Sequence, residues 1–389
     1  MAAQTPQQSQ AVRENILAYS IPVLQNVRSG AATYAYGNPT NVNFLASNVG
    51  LIRRFFLEIT LTLNCAATYT LTPTTIGLPN IISNVQFTDQ NNRLRINTTG
   101  AHLHYSMTEK RRRPFGGAIT AAGISDPAGL GANFPVQLSS GVVSGGTAKT
   151  VTLILEIPVA NSNTDLSGVV YANQTTSNNS LQFTLNPGMF VPTGVDPYNA
   201  AFITSAALGT ALPTVTGISY TVYQDFLDQL PVDNTGFAVL PQQDISWALV
   251  YQYINPGPQV AGVDNIYSLP PFNVYQNLIL FWDNYTYNGT VGGDVQYMKV
   301  QISNTYILKQ WDPLMLAVLT RNIIGTDLPG AVSAAGFSGA VYSLDFRHRP
   351  LSVNQLSSTN IVFRPTIVNG GAALNIGQEY LWYANQASA

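Results

Sequence analysis

Residues 217–232 read GISYTVYQDFLDQLPV. Ile218, Tyr220 and Val222 fall on one side of an extended chain, and Ser219, Thr221 and Tyr223 on the other, the period-two pattern of a half-buried strand. The alternation then stops. Phe226, Leu227 and Leu230 fall on a tighter period, and Pro231, Asp233, Asn234 and Gly236 end regular structure. One unit closes here and a shorter one begins, which divides the chain into an arm (1–19), a first unit (20–236) and a second unit (237–389).

Outward from that join the chain reads as strand after strand. Upstream, Phe55, Leu57, Ile59, Leu61 and Leu63 share one face of 51–63, and 81–87, 94–105, 151–157 and 181–185 follow. Downstream come 245–253, 274–282, 295–308, 341–346, 360–363 and 379–383. Turn residues separate them, as in Asp89-Gln-Asn-Asn92, so the pattern predicts antiparallel β-sandwiches and excludes a parallel α/β sheet. A helix is expected over 312–324, with Asp312 as cap, Pro313 in the first turn and Gly325 as stop. Two connections, 110–149 and 186–216, are too long to be plain turns and are read as contact-making loops. Thr164-Asp-Leu-Ser-Gly168-Val-Val170 and Thr326-Asp-Leu-Pro-Gly330-Ala-Val332 echo each other and suggest that one sandwich was duplicated.

A chain of 389 residues is too long for one hydrophobic core, in keeping with two domains. Charged residues are 9% of it, against an ordinary share of about 25%. Hydrophobic residues are 46%, which rules out disorder and leaves a surface of amides, hydroxyls and backbone that suits burial by copies of the same chain. A net charge of −2 argues against direct nucleic-acid binding. The single cysteine, Cys65, cannot close an internal disulfide and is expected in a core; no apolar run reaches the ~18 residues of a membrane span.

The string from Ile218 to Gln224, followed by Leu227-Asp-Gln-Leu-Pro231, with Gly100-Ala-His102-Leu-His104-Tyr105 upstream, resembles the major capsid proteins of tectiviruses, bacteriophages with a membrane inside an icosahedral shell. The resemblance implies an all-β double jelly roll, two jelly-roll β-sandwiches side by side with short helices at the N-terminus and in loops. It also implies a homotrimeric, pseudo-hexagonal capsomer, no enzyme activity and no cofactor. Its implied partners are further trimers, vertex and other minor capsid proteins, and the internal membrane through the arm. The place it implies is the virion, after synthesis in the host bacterial cytoplasm.

The arm turns helix-compatible towards residue 19, with Val12, Ile16 and Tyr19 near one face, and Pro22 ends it. So short a helix needs a surface, either its own domain or a neighbouring subunit or lipid; Arg13, Ile16 and Tyr19 are the expected docking residues. Lys110, Arg111, Arg112 and Arg113 form the one dense basic run, expected at a loop edge or an intersubunit contact rather than on DNA or lipid phosphate. His102 and His104, two apart on an expected strand, would face one side and could share a metal, yet no third ligand is evident by motif. Glu58, Glu156, Asp225 and Asp228 are carboxylates of the kind a glycosidase uses, although Asp225 and Asp228 read better as groups solvating the turn at Pro231. The rival function is a carbohydrate-binding or adhesive β-sandwich protein, with Tyr251, Tyr253, Tyr285 and Tyr287 as a sugar platform.

Overall fold

The structure, a computed structural model, describes residues 4–64, 70–74, 76–112, 117–121, 124–125, 143–144, 148–172, 178–192, 199–204, 213–282, 295–303, 306–324, 330–333, 336–339, 341–353, 358–366 and 374–383. Eight principal strands build the first half: β1 (Ile21–Ala32), β2 (Thr40–Leu45), β3 (Leu51–Asn64), β4 (Ile82–Thr88), β5 (Leu94–Thr98), β6 (Lys149–Pro158), β7 (Ser180–Leu185) and β8 (Thr214–Asp228). Eight more build the second: β9 (Trp247–Ile254), β10 (Asn265–Ser268), β11 (Asn273–Trp282), β12 (Val295–Ile302), β13 (Tyr306–Trp311), β14 (Val341–Asp345), β15 (Thr359–Pro365) and β16 (Leu374–Tyr383). The sheets run β1-β8-β3-β6, then β2-β7-β4-β5-β9-β16-β11-β14, then β10-β15-β12-β13, with short strands added at the margins.

Shifting every label by eight maps β1-β8-β3-β6 onto β9-β16-β11-β14, and β2-β7-β4-β5 onto β10-β15-β12-β13. Each half is therefore a two-sheet jelly roll of the same topology. The helices obey the same shift: α2 (Gly100–Arg111) joins β5 to β6, and α3 (Pro313–Ile324) joins β13 to β14. Duplication is thus visible in the topology, but the sequence echo does not report it. Thr164 to Val170 lies between β6 and β7, whereas 326–332 lies between α3 and β14. The echo is offset by 326 − 164 = 162 residues and the equivalent helices by 313 − 100 = 213.

The strands form where one face could be buried. Along β3, Phe55, Leu57, Ile59, Leu61 and Leu63 all point into the first core, and on β8 Ile218, Tyr220 and Val222 join them. The chain stays extended past Phe226 to Asp228, facing a β-bulge on β3: Asp225 opposes Arg54 but Phe226 opposes Ile52, so Arg53 is the extra residue. Residues 94–105 are not one strand, because β5 ends at Thr98 and Thr99 caps α2 by accepting from the His102 amide. Likewise 295–308 breaks into β12 and β13, and residues 242–246 form a helical turn before β9. Strands β1 and β2 were not expected, since β1 is exposed along both faces and so carries no alternation.

Helix α1 (Pro6–Tyr19) begins with a capping box between Thr5 and Gln8 and a first-turn proline. It packs on its own chain, with Ile16 in a cluster with Leu51, Ala160, Leu166, Val169 and Leu227. This cluster closes the end of the first roll where the turns β2–β3, β4–β5 and β6–β7 lie; the long connections β3–β4, β5–β6 and β7–β8 all leave from the opposite end. Cys65 lies outside the described residues.

Helix α3 has the cap expected of it: the Met315 amide donates to Oδ1 of Asp312 at 2.8 Å. Asp312→Ala should therefore cost about 1 kcal/mol, read as a lower denaturation midpoint for the second roll. An unchanged midpoint would show that the cap contributes nothing.

Candidate functional site

The two rolls are welded at a seam. Strands β5 and β9 pair in parallel, Ile96 with Tyr251 and Asn97 with Gln252, which runs one sheet through both halves. Helix α2 lies over that joint, buried from Gly100 to Glu109. Leu103 and Met107 enter the first core, while Ala101 and Tyr105 pack on Ile279, Phe281 and Val341 of the second roll. Alternation in the second roll makes this possible: on β11, Leu278, Leu280 and Trp282 face their own core and leave Ile279 and Phe281 for the seam. Gly377 is required on β16, because a Cβ there would overlap the imidazole of His102.

The polar side chains of α2 are neutralised from the second roll. Glu379 of β16 accepts from Ser106 Oγ at 2.7 Å, from Lys110 Nζ at 3.0 Å and from Arg347 Nη2 at 2.6 Å. Arg347 also reaches Glu109 and Asp345, and Asn277 donates to Glu109 at 2.6 Å. Burial works to raise the Glu379 carboxyl, but Arg347 and Lys110 outweigh it and hold it well below the usual range. Glu109, for which burial prevails, is pushed up, and burial pulls the Lys110 ammonium down. A second group continues from the next residue of the helix: Arg111 pairs with Glu156, Glu156 with Arg54, and Arg54 and Arg53 both with Asp225. The bulge at Arg53 is what lets two consecutive arginines reach one carboxylate.

The seam relocates most of the residues singled out in the sequence. His102 and His104 sit on a helix, where a spacing of two turns them roughly 200° apart, so they cannot share a metal. Among the described residues no three His, Cys, Asp or Glu side chains gather as a metal site. His102 Nδ1 bonds the Thr98 hydroxyl at 2.6 Å, and desolvation holds both imidazoles down at about 3. The basic run is not a loop edge: Lys110 and Arg111 are in the last turn of α2 and ion-paired within the chain. Arg112 is its exposed left-handed C-cap, and Arg113 lies outside the described residues. Of the arm residues, Ile16 is enclosed by its own chain and Arg13 pairs with Asp244 at 3.1 Å, because the linker 229–246 folds under α1; Tyr19 remains 74% exposed. Asp225 is a buried arginine partner and does not solvate the turn at Pro231. Tyr251 is core, Tyr253 packs on Phe281, and Tyr285 and Tyr287 lie outside the described residues, so no sugar platform forms from the first two. Sequence reading missed Glu109, Asn277, Arg347 and Glu379; the available signal was Glu379 standing inside an otherwise strand-like run.

Residues 2–230 match the family model for the P3 major capsid protein N-terminal domain, and residues 250–387 match that for its C-terminal domain. The chain belongs to the P3 major capsid protein family. Over 372 residues it is 30% identical to the Major capsid protein P3 of Enterobacteria phage PRD1, covering 95% of this chain and 89% of that protein. Its fold matches the crystal structure of the STIV MCP with a TM-score of 0.64 at 11% identity, covering 95% of this chain and 99% of the other. An atomic structure of Sulfolobus Turreted Icosahedral Virus gives 0.63 at 11% identity, with 94% and 92% covered. As a P3-family member this chain is a tectivirus-type major capsid protein, a structural rather than catalytic component of the virion shell. That overturns the carbohydrate-binding alternative.

The buried imidazoles fix an acid response. Both have folded values below the usual ~6.5, so the unfolded chain binds more protons between about pH 6.5 and 3, and stability must fall as pH is lowered through that window. The expected slope is about 1.4 kcal/mol per pH unit for each imidazole. Glu379, depressed, adds loss of the same sign below the ordinary carboxylate range, while Glu109, raised, works in the opposite sense. Chemical denaturation across pH checks this: His104→Leu should remove about half of the histidine contribution, and an unchanged slope would refute it.

Proposed function

We propose that three copies of the chain close into a pseudo-hexagonal capsomer, and that capsomers tile an icosahedral shell around an internal membrane. The observation that carries this reading is the match to both P3 domains over nearly the whole chain. Two rolls of one topology support it, because three chains then present six similar blocks around the threefold axis. The low charge of the surface supports it too, since amides and hydroxyls lose less on burial than ions do. In the same reading residues 1–19 are the arm, 20–236 the first roll and 237–389 the second. The partners are other capsomers with vertex and minor capsid proteins, without direct contact to nucleic acid.

The arm keeps a reduced role in this proposal. With Arg13 and Ile16 engaged inside the chain, Tyr19 and the outer side of α1 are what it offers to a neighbouring capsomer or to the lipid surface. Arg112 is the exposed member of the basic run left for a contact of that kind.

Light scattering on the purified chain should return three times the 41.9 kDa chain mass; a single-chain mass would sink the proposal. Because Tyr19 is so exposed, Tyr19→Ser should change stability by no more than about 0.5 kcal/mol and leave the trimer intact. Particle yield in infected cells should nevertheless fall, and a normal yield would remove the arm from assembly.

A further inference from the structure

A cleft of about 150 Å³ opens beside the end of α2, between the helix, strands β3 and β6 and the turn that follows β6. Its wall carries four cationic side chains, Arg53, Arg54, Lys110 and Arg111, and one carboxylate, Glu156. The four cations reach three carboxylates in all. Asp225 is shared by Arg53 and Arg54, Glu156 by Arg54 and Arg111, and Glu379 by Lys110 with Arg347 of the second roll. Arg347 also pairs with Glu109 and Asp345, but neither of these lines the cleft. Positive charge is therefore in excess on this wall, although the seam as a whole balances. Burial pulls the Lys110 ammonium down in spite of Glu379, as expected of a cation that its partners do not fully compensate.

Two enclosed polar atoms of lining residues lack hydrogen-bond partners among the described residues. Nε of Arg53 is a donor without an acceptor, while its Nη2 is given to Asp225 at 2.5 Å. Oδ1 of Asn161 is an acceptor without a donor, and its orientation is fixed because Nδ2 donates to Asp165 at 2.6 Å. Buried polar atoms without partners are uncommon, and each calls for an explanation. Access is open: the four cationic side chains keep between 12% and 24% of their surface exposed, so an ion reaches them without disturbing the core.

We propose that this cleft is a binding site for inorganic phosphate. Guanidinium forks match the oxygens of a tetrahedral oxyanion and donate charge-assisted hydrogen bonds to them. The charge of Glu156 does not stand free against the ion, because Arg54 and Arg111 already take it up. Hydrogen phosphate also keeps one P–OH near neutral pH, and that hydroxyl is the donor that Oδ1 of Asn161 lacks. Sulfate carries no such proton, and a phosphate ester loses its last one at a pKa of about 6. The volume equals that of about five waters at ~30 Å³ each, enough for the ion and a few waters but for no large substituent. Once bound, the ion offsets the excess charge and ties the last turn of α2 to β3 and β6, which stabilises the first roll at its joint with the second. The site lies inside one chain and does not depend on the capsomer reading.

The test titrates the full chain with sodium phosphate in a calorimeter, near neutral pH and at constant ionic strength held by sodium chloride. One phosphate should bind per chain, and the melting temperature should rise and level off as the site fills. Arg53→Gln leaves Asp225 paired with Arg54 and should weaken binding about tenfold, as the loss of one charge-assisted hydrogen bond does. Lys110→Gln leaves Glu379 to Arg347 and should weaken it likewise, so the failure of one variant to fold does not decide the outcome. Asn161→Ala should lose the preference for phosphate over sulfate, while Arg112→Gln, outside the cleft, should bind as the parent does. Absence of saturable binding overturns the assignment, and so does sulfate or glycerol phosphate binding to the parent as tightly as phosphate. Unchanged affinity in both Arg53→Gln and Lys110→Gln, or an equal loss in Arg112→Gln, overturns it as well.

Discussion

The desolvation of α2 is the constraint on which the rest of the molecule depends. A helix carrying Glu109, Lys110 and Arg111 is placed between two sheets, where an unpaired charge costs several kcal/mol. The solution is mutual neutralisation: Arg53, Arg54, Lys110, Arg111 and Arg347 balance Glu109, Glu156, Asp225, Asp345 and Glu379. Removing one partner strands another, which is why such pairs cost about 3–5 kcal/mol to break even though they add little net stability over apolar packing. Their effect is to fix geometry. Glu379 is held ionised by Arg347 of its own roll and by Lys110 of α2, so this carboxylate ties the helix of the first roll to the sheet of the second.

Duplication supplied two copies of one architecture, and the copies have diverged in the chemistry of a single element. The helix between the fifth and sixth strands is polar and buried in the first roll, apolar and partly exposed in the second. An ionic seam needs its partners held at fixed distance, which one continuous chain provides. An apolar stripe tolerates small misfits and depends on area, which suits contacts made after folding. Ten of the chain's 36 charged residues are thus paired at and beside the joint between the rolls, in a protein whose family builds virion shells.

What the sequence by itself determined is whatever one-sided burial writes into a local period. The alternation of β3 and of the first half of β8 announced half-buried strands, and Asp312 with Pro313 announced the start of α3, because caps and pleats are decided by residues within four positions of one another. The family resemblance was carried by the same stretch. Strand β1 was silent because it buries no consistent face, β2 because its alternation of Val42 and Phe44 is too short to stand out, and α2 because a helix enclosed on all sides buries polar and apolar residues alike and sets no period. The seam itself was decided only by tertiary structure. Lys110 and Glu379 are 269 positions apart, Ser106 and Glu379 273, and Arg54 and Asp225 171. A buried charge is tolerated only beside its counter-charge, and nothing local in the chain says which distant carboxylate the fold will bring to it.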